Sequence, residues 1–215
     1  FIVYNAIHLW EQVKSLGFWT FSDLFEERGP SQGTFHGGFG MLTKEGLKKP
    51  SFHALSLLNR LGDTLVERAD DYIVTRSKNQ IQILMVNYVH FDPLYSNGDI
   101  SAVQTSDPYL AFNDTTAQRF SFELELPVES IKMVSYTLDR RHGSPYDIWR
   151  DIGSPQPLTP EDIEDIERLN KPKRAVHQNI KLEGGKFNVS RDVQPHGVEL
   201  VTIDCFAPMK SDTFD

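Results

Sequence analysis

At Gly62 the apolar residues change period, and this one change constrains the fold more than anything else in the chain. Before it, Ile2, Ala6, Leu9 and Val13 recur at helical spacing, with Val3, Ile7 and Trp10 widening the apolar face. Ala54, Leu58 and Leu61 do the same in a segment opened by Pro50 and closed by Gly62. After it, "RFSFELELP" sets Phe120, Phe122, Leu124 and Leu126 on one side and Ser121, Glu123 and Glu125 on the other, the pattern of a half-buried strand. "NQIQILMVNY", around Ile81 to Tyr88, is apolar on both faces and predicts a central strand. Further strands are predicted at 72–76, 131–138, 176–182 and 198–205, with turns at Asn97-Gly98 and Gly184-Gly185. One helix interrupts them at about 159–169, with Thr159 as cap, Pro160 at its first position and acids in its first turn.

The first part therefore reads as helix (2–15), short buried strand (Gly17 to Phe21), long glycine-rich loop and helix, the rhythm of an α/β barrel. The expected fold is mixed α and β: the tail of a (β/α)8 TIM barrel over 1–62, then an antiparallel β-sandwich over 63–215. A helix at Phe1 that is apolar on so many sides needs several neighbours, so the chain is expected to begin inside a larger fold.

Composition excludes several functions. With 215 residues and a formal charge of −8, the chain can bury a core but has no general field for nucleic acid or an anionic membrane. No apolar run has the length of a spanning helix, no signal peptide opens the chain, and a bacterial cytoplasmic location is expected. Its single cysteine, Cys205, excludes an internal disulfide and a thiolate zinc cluster, and is expected to be a buried inert thiol. No metal or cofactor is expected.

The chemistry concentrates in "FWTFSDLFEERGPSQGTFHGGFG", Phe18 to Gly40. A loop of aromatics and carboxylates after a barrel strand lies where barrel enzymes build their sites. Aromatic rings stack on the C–H faces of sugars and carboxylates accept from hydroxyls, which suits a carbohydrate pocket. The glycines of "HGGFG" lack the following helix of a phosphate cradle and are expected to permit positive φ or close backbone approach.

This stretch, with "MLTKEGLKKPSFHAL" after it, resembles the end of the catalytic barrel of glycoside hydrolase family 39, the family of β-xylosidases and α-L-iduronidase. "LDRRHGSPYDIW" and "GSPQPLTPEDIEDIERLNKP" resemble that family's accessory β-sandwich. The resemblance implies a retaining β-xylosidase that works through a covalent glycosyl-enzyme, with two glutamates on earlier barrel strands. Their Asn-Glu and Thr-Glu motifs do not occur in this chain, which is expected to be inactive alone. By the same resemblance Trp19 is the aromatic wall under the sugar and Glu27, beside Glu26, a carboxylate on its hydroxyls. His36 is a candidate ligand contact, while Asp23, Gly37 and Gly38 shape the loop. Arg140, Arg141 and His142 are expected at a sandwich–barrel contact. The implied partner is a xylose-containing oligosaccharide or similar small sugar, with a homo-oligomer as an option. The rival assignment is the sugar-sensing module of an AraC-type transcriptional regulator, which also resembles this family; a ligand-free structural module is a third.

Overall fold

A computed structural model describes residues 1–25, 33–101 and 107–205. Among the described residues eight strands form two antiparallel sheets: β1 (Thr64–Arg68), β2 (Tyr72–Ser77), β3 (Gln80–Val86), β4 (Gln118–Glu125), β5 (Ser130–Leu138), β6 (Lys173–Lys181), β7 (Lys186–Val193) and β8 (Val198–Asp204). Six of them make one sheet in the order β1-β2-β3-β8-β5-β6, and β4 pairs with β7 in the other. The helices are α1 (Ile2–His8), α2 (Pro50–Leu58), α3 (Pro93–Ser96), α4 (Pro145–Asp151) and α5 (Pro160–Leu169).

The central strands of the six-stranded sheet are buried on both faces. On one, Val74, Ile83, Met85, Val201 and Ile203 meet Phe120, Val189 and Val193 of the small sheet. On the other, Ile73, Leu84, Leu138 and Leu200 meet Val3 and Ile7 of α1 and Ala54 and Leu57 of α2. This explains why β3 is apolar on both faces: it is third in the sheet and covered twice. The layers run helices, large sheet, small sheet, and burying the two apolar faces is the main stabilising term.

Three local expectations need correction. The first helix stops at His8 instead of reaching 15, and Glu11 already has φ +65, outside the helical region. No strand forms over Gly17 to Phe21, and Trp19 and Phe21 are exposed. Instead residues 20–23 exchange backbone hydrogen bonds with 39–42 (Thr20 N to Phe39 O, Met41 N to Thr20 O, Leu42 N to Phe21 O), an irregular pairing with one parallel bridge, Ser22 to Leu42. Cys205 lies just past β8 and is half-buried; burial, then Asp204, pushes its thiol pKa up, which suits an unreactive thiol. No helix among the described residues is long and apolar enough to cross a membrane.

Candidate carbohydrate site

The pairing of 20–23 with 39–42 depends on glycine. A Cβ on Gly40 would lie 2.3 Å from the backbone of Ser22 and Asp23, and one on Gly38 would lie 2.6 Å from Asp23 Oδ1 and 2.7 Å from His36 Nε2. Gly37 has φ +82, where a side chain is strained. These three positions let the "HGGFG" backbone fold down onto Asp23.

Asp23 is 3 % exposed and ties this loop together. Its Oδ1 accepts from the Gly40 N–H at 2.7 Å, and its Oδ2 lies 2.5 Å from Lys49 Nζ. The latter is an ion contact out of line with a hydrogen bond, so Oδ2 has an opposite charge beside it but no aligned donor. Lys49 also donates to the Gly38 carbonyl at 3.0 Å. The ammonium thus joins the start of α2 to both halves of the loop. Thr34 Oγ1 adds a bond to Glu45 at 2.8 Å.

Trp19 and His36 are the other sequence-predicted side chains among the described residues. Trp19 is 64 % exposed and meets the Phe25 ring edge-on, centroids 5.3 Å apart. His36 is exposed, with Nδ1 3.1 Å from the Gly33 carbonyl. Glu26 and Glu27 lie outside the described residues. Asp23, His36 and Gly38 are brought together, with Gly37 between the last two in the chain.

Against the inner side of the loop lies a cavity of about 540 Å3, within the range of small-ligand pockets. Phe35, Gly37, Gly38 and Lys49 line it together with Tyr109, Phe112 and Tyr146, and the Phe35 and Tyr146 rings meet edge-on at 5.8 Å. Tyr109 lies in a 3₁₀ turn (Pro108–Ala111), Phe112 directly follows it, and Tyr146 lies at the start of α4. Sequence reasoning missed these residues. The "SPYDIW" motif was the signal for Tyr146, since Pro after an N-capping Ser144 opens a helix there, but nothing local to "DPYLAF" marked Tyr109 or Phe112.

A network centred on the buried Asp147 holds Tyr109 against the start of α4. Asp147 Oδ2 accepts from Tyr109 Oη at 2.7 Å and Ser144 Oγ at 2.5 Å, and its Oδ1 accepts from Arg140 Nε at 3.1 Å. The Arg140 guanidinium stacks 3.6 Å over the Tyr109 ring. Burial, then the Asp147 bond, holds the Tyr109 hydroxyl far above its ordinary pKa, so it stays a neutral donor. His196 packs against Tyr109 and Phe112, and burial followed by Arg140 keeps its pKa below the usual value. His142 pairs with Asp139 at 2.8 Å. Arg140 and His142 are thus committed within residues 107–196, while Arg141 is exposed. Among the described residues no group of three or more His, Cys, Asp or Glu side chains could hold a metal.

The sequence pattern of glycosyl hydrolases family 39 matches residues 1–186. A beta-xylosidase of Caldicellulosiruptor saccharolyticus is 28 % identical over 193 residues, 86 % of this chain and 36 % of that protein. An uncharacterized HTH-type transcriptional regulator of Staphylococcus aureus is 22 % identical over 207 residues, 94 % of this chain and 26 % of that protein. The crystal structure of the GH39 enzyme from Xanthomonas axonopodis pv. citri has the same fold, with a TM-score of 0.75 at 20 % identity over 95 % of this chain and 40 % of that one. The chain spans 36 % or less of the curated relatives named here. With 186 of its 215 residues inside the family pattern and the fold shared as well, the chain belongs to glycosyl hydrolases family 39.

Proposed function

We propose that this chain is the carboxy-terminal portion of a retaining β-xylosidase-like glycosidase and supplies part of its sugar subsite. The carrying observation is the family match over 1–186, joined to 28 % identity with a beta-xylosidase. In this function the nucleophile and acid/base glutamates belong to the remainder of the protein, about 5–5.5 Å apart as retention requires. Trp19 serves as platform for the sugar's C–H face, a role its exposed ring supports. Glu27 accepts from sugar hydroxyls, and those bonds tighten as the ring gains oxocarbenium character. Asp23, Gly37 and Gly38 set the loop that carries His36, and this chain alone turns nothing over.

The test is Glu27→Gln in the whole protein with an aryl β-xyloside. Loss of one charge-assisted hydrogen bond, roughly 1.5–3 kcal/mol, lowers kcat and kcat/KM by about 10- to 150-fold. Kinetics equal to wild type would remove Glu27 from the site. A wild type that binds xylobiose by calorimetry without turning over any β-xyloside would make the chain a sensor module of the regulator kind.

A further inference from the structure

We propose that His196 is a pH-operated pin: while its imidazole is neutral it holds Tyr109 and Phe112 in the lining of the cavity, and protonation releases them. The inference is independent of the β-xylosidase-like reading, since it uses side chains of this chain only and no reacting group.

The backbone at His196 is strained. The Gly197 N–H donates to the Gln194 carbonyl at 2.8 Å, closing a turn between β7 and β8 with Pro195 and His196 at its centre. His196 has φ +62, the left-handed position that Gly or Asn usually takes in such a turn. Strain of this kind persists where the surroundings compensate it, and here the compensation is the ring. The imidazole lies edge-on to Phe112, centroids 4.6 Å apart, and tilted against Tyr109 at 5.4 Å. Tyr109 belongs to the Pro108–Ala111 turn, Phe112 follows it, and both line the cavity. Phe112 in turn stacks on Phe91 at 4.6 Å, so one imidazole steadies a row of rings.

Charge decides whether this pose persists. Burial takes water from the ring and is the first cost of protonating it in place. Arg140 is the next, because its guanidinium already lies 3.6 Å over Tyr109 and a second cation against that ring meets like charge. The α-amino group of Phe1 acts in the same direction. Asp147 alone favours the imidazolium, and its oxygens are committed to Arg140, Tyr109 and Ser144. The packed ring therefore holds a proton less tightly than a ring turned out to water, whose pKa is near the ordinary 6.5. The contact is at full strength above about pH 6.5 and weakens as the pH falls below it. Once the ring leaves, the turn relaxes and Tyr109 and Phe112 lose their shared neighbour.

The experiment is amide hydrogen exchange at pH 7.5 and 5.5, corrected for intrinsic rates, in wild type, His196→Phe and His196→Asn. The reporters are the Phe112 amide, bonded to the Tyr109 carbonyl at 3.1 Å, and the Asp92 amide, bonded to the Ala111 carbonyl at 2.9 Å. In wild type their protection should fall at pH 5.5 by up to about 10-fold more than that of the β3 and β8 amides. That ceiling is the ratio of imidazolium to imidazole one unit below pH 6.5. His196→Phe keeps a ring that cannot charge, and its protection should stay the same at both pH values. His196→Asn suits the left-handed position but lacks the ring, so its protection should be low at both. Wild-type protection that does not fall with pH overturns the pin. So does a fall of equal size in either variant, since another group would then carry it.

Discussion

Residues 64–204 and residues 9–49 are both rich in apolar side chains, yet among the described residues the first region holds most of the core and the second, Leu47 aside, leaves its large apolar side chains largely exposed. Ile83, Leu84, Met85 and Leu200 are fully buried in the six-stranded sheet, while Leu16, Trp19, Phe21 and Phe39 are each more than half exposed. The difference lies in periodicity. An alternating strand puts its apolar set on faces that neighbouring layers cover, whereas the irregular segment has no common face to present. It is fixed by a few polar ties, chiefly Asp23 with Lys49 and Gly40 and Thr34 with Glu45. Exposed aromatics of this density suit a binding surface, in line with the platform role proposed for Trp19.

The contrast can be broken most directly in the sheet. Leu84→Ala, at a fully buried site in β3, should cost about 2–5 kcal/mol in urea unfolding, whereas Phe39→Ala, 60 % exposed, should stay within about 0.5 kcal/mol. Equal costs would end the distinction between the regions.

The next effect is smaller and local. Asp23→Asn replaces the ion contact with Lys49 by a neutral group, a loss of about 1.5–3 kcal/mol. It should lower hydrogen-exchange protection of the Gly40 and Leu42 amides by about 10- to 150-fold, while β3 and β8 amides keep theirs. If the β3 amides lose protection equally, the loop and sheet are one cooperative unit.

The smallest effect is on pH dependence, at the seam between the regions. His53 of α2 is buried, and that burial, with Lys48 nearby, lowers its pKa below the ordinary 6.5. Asn170 faces the ring without an aligned hydrogen bond and offsets this only in part. The unfolded chain therefore takes up the proton first as pH falls. Stability present above about pH 6.5 is lost between that value and the lower folded-state pKa. Urea midpoints at pH 7.5 and 5.5 should differ less in His53→Gln than in wild type. An unchanged difference would show that His53 does not carry the dependence.

What could be seen in advance follows the same division. The predicted strands at 72–76, 131–138 and 198–205 match β2, β5 and β8 to within a residue, because their apolar residues face layers on the sheet and alternation or continuous burial leaves a pattern. β1 escaped notice since almost all of its residues are exposed, and β7 because only Phe187, Val189 and Val193 carry its inner face. The helix at 159–169 was plain from Thr159 as cap, Pro160 at its first position and the acids of its first turn, and the structure adds a capping box between Thr159 and Asp162. Asp23 and the "HGGFG" glycines were marked as loop-shaping by type alone; that their atoms meet was not readable, since 17 residues separate Asp23 from Gly40.

The sequence by itself determined the change from helical to strand period, the central place of β3 and the family. Each of these is written in neighbouring side chains, where spacing dictates which face is apolar. Only the tertiary structure decided that α1 and α2 pack on the face of the large sheet away from the small one, that residues 20–23 pair irregularly with 39–42, and that Phe35, Tyr109, Phe112 and Tyr146 line one cavity. These depend on contacts between residues far apart in the chain, whose free energy is set by how whole layers pack and not by any local pattern.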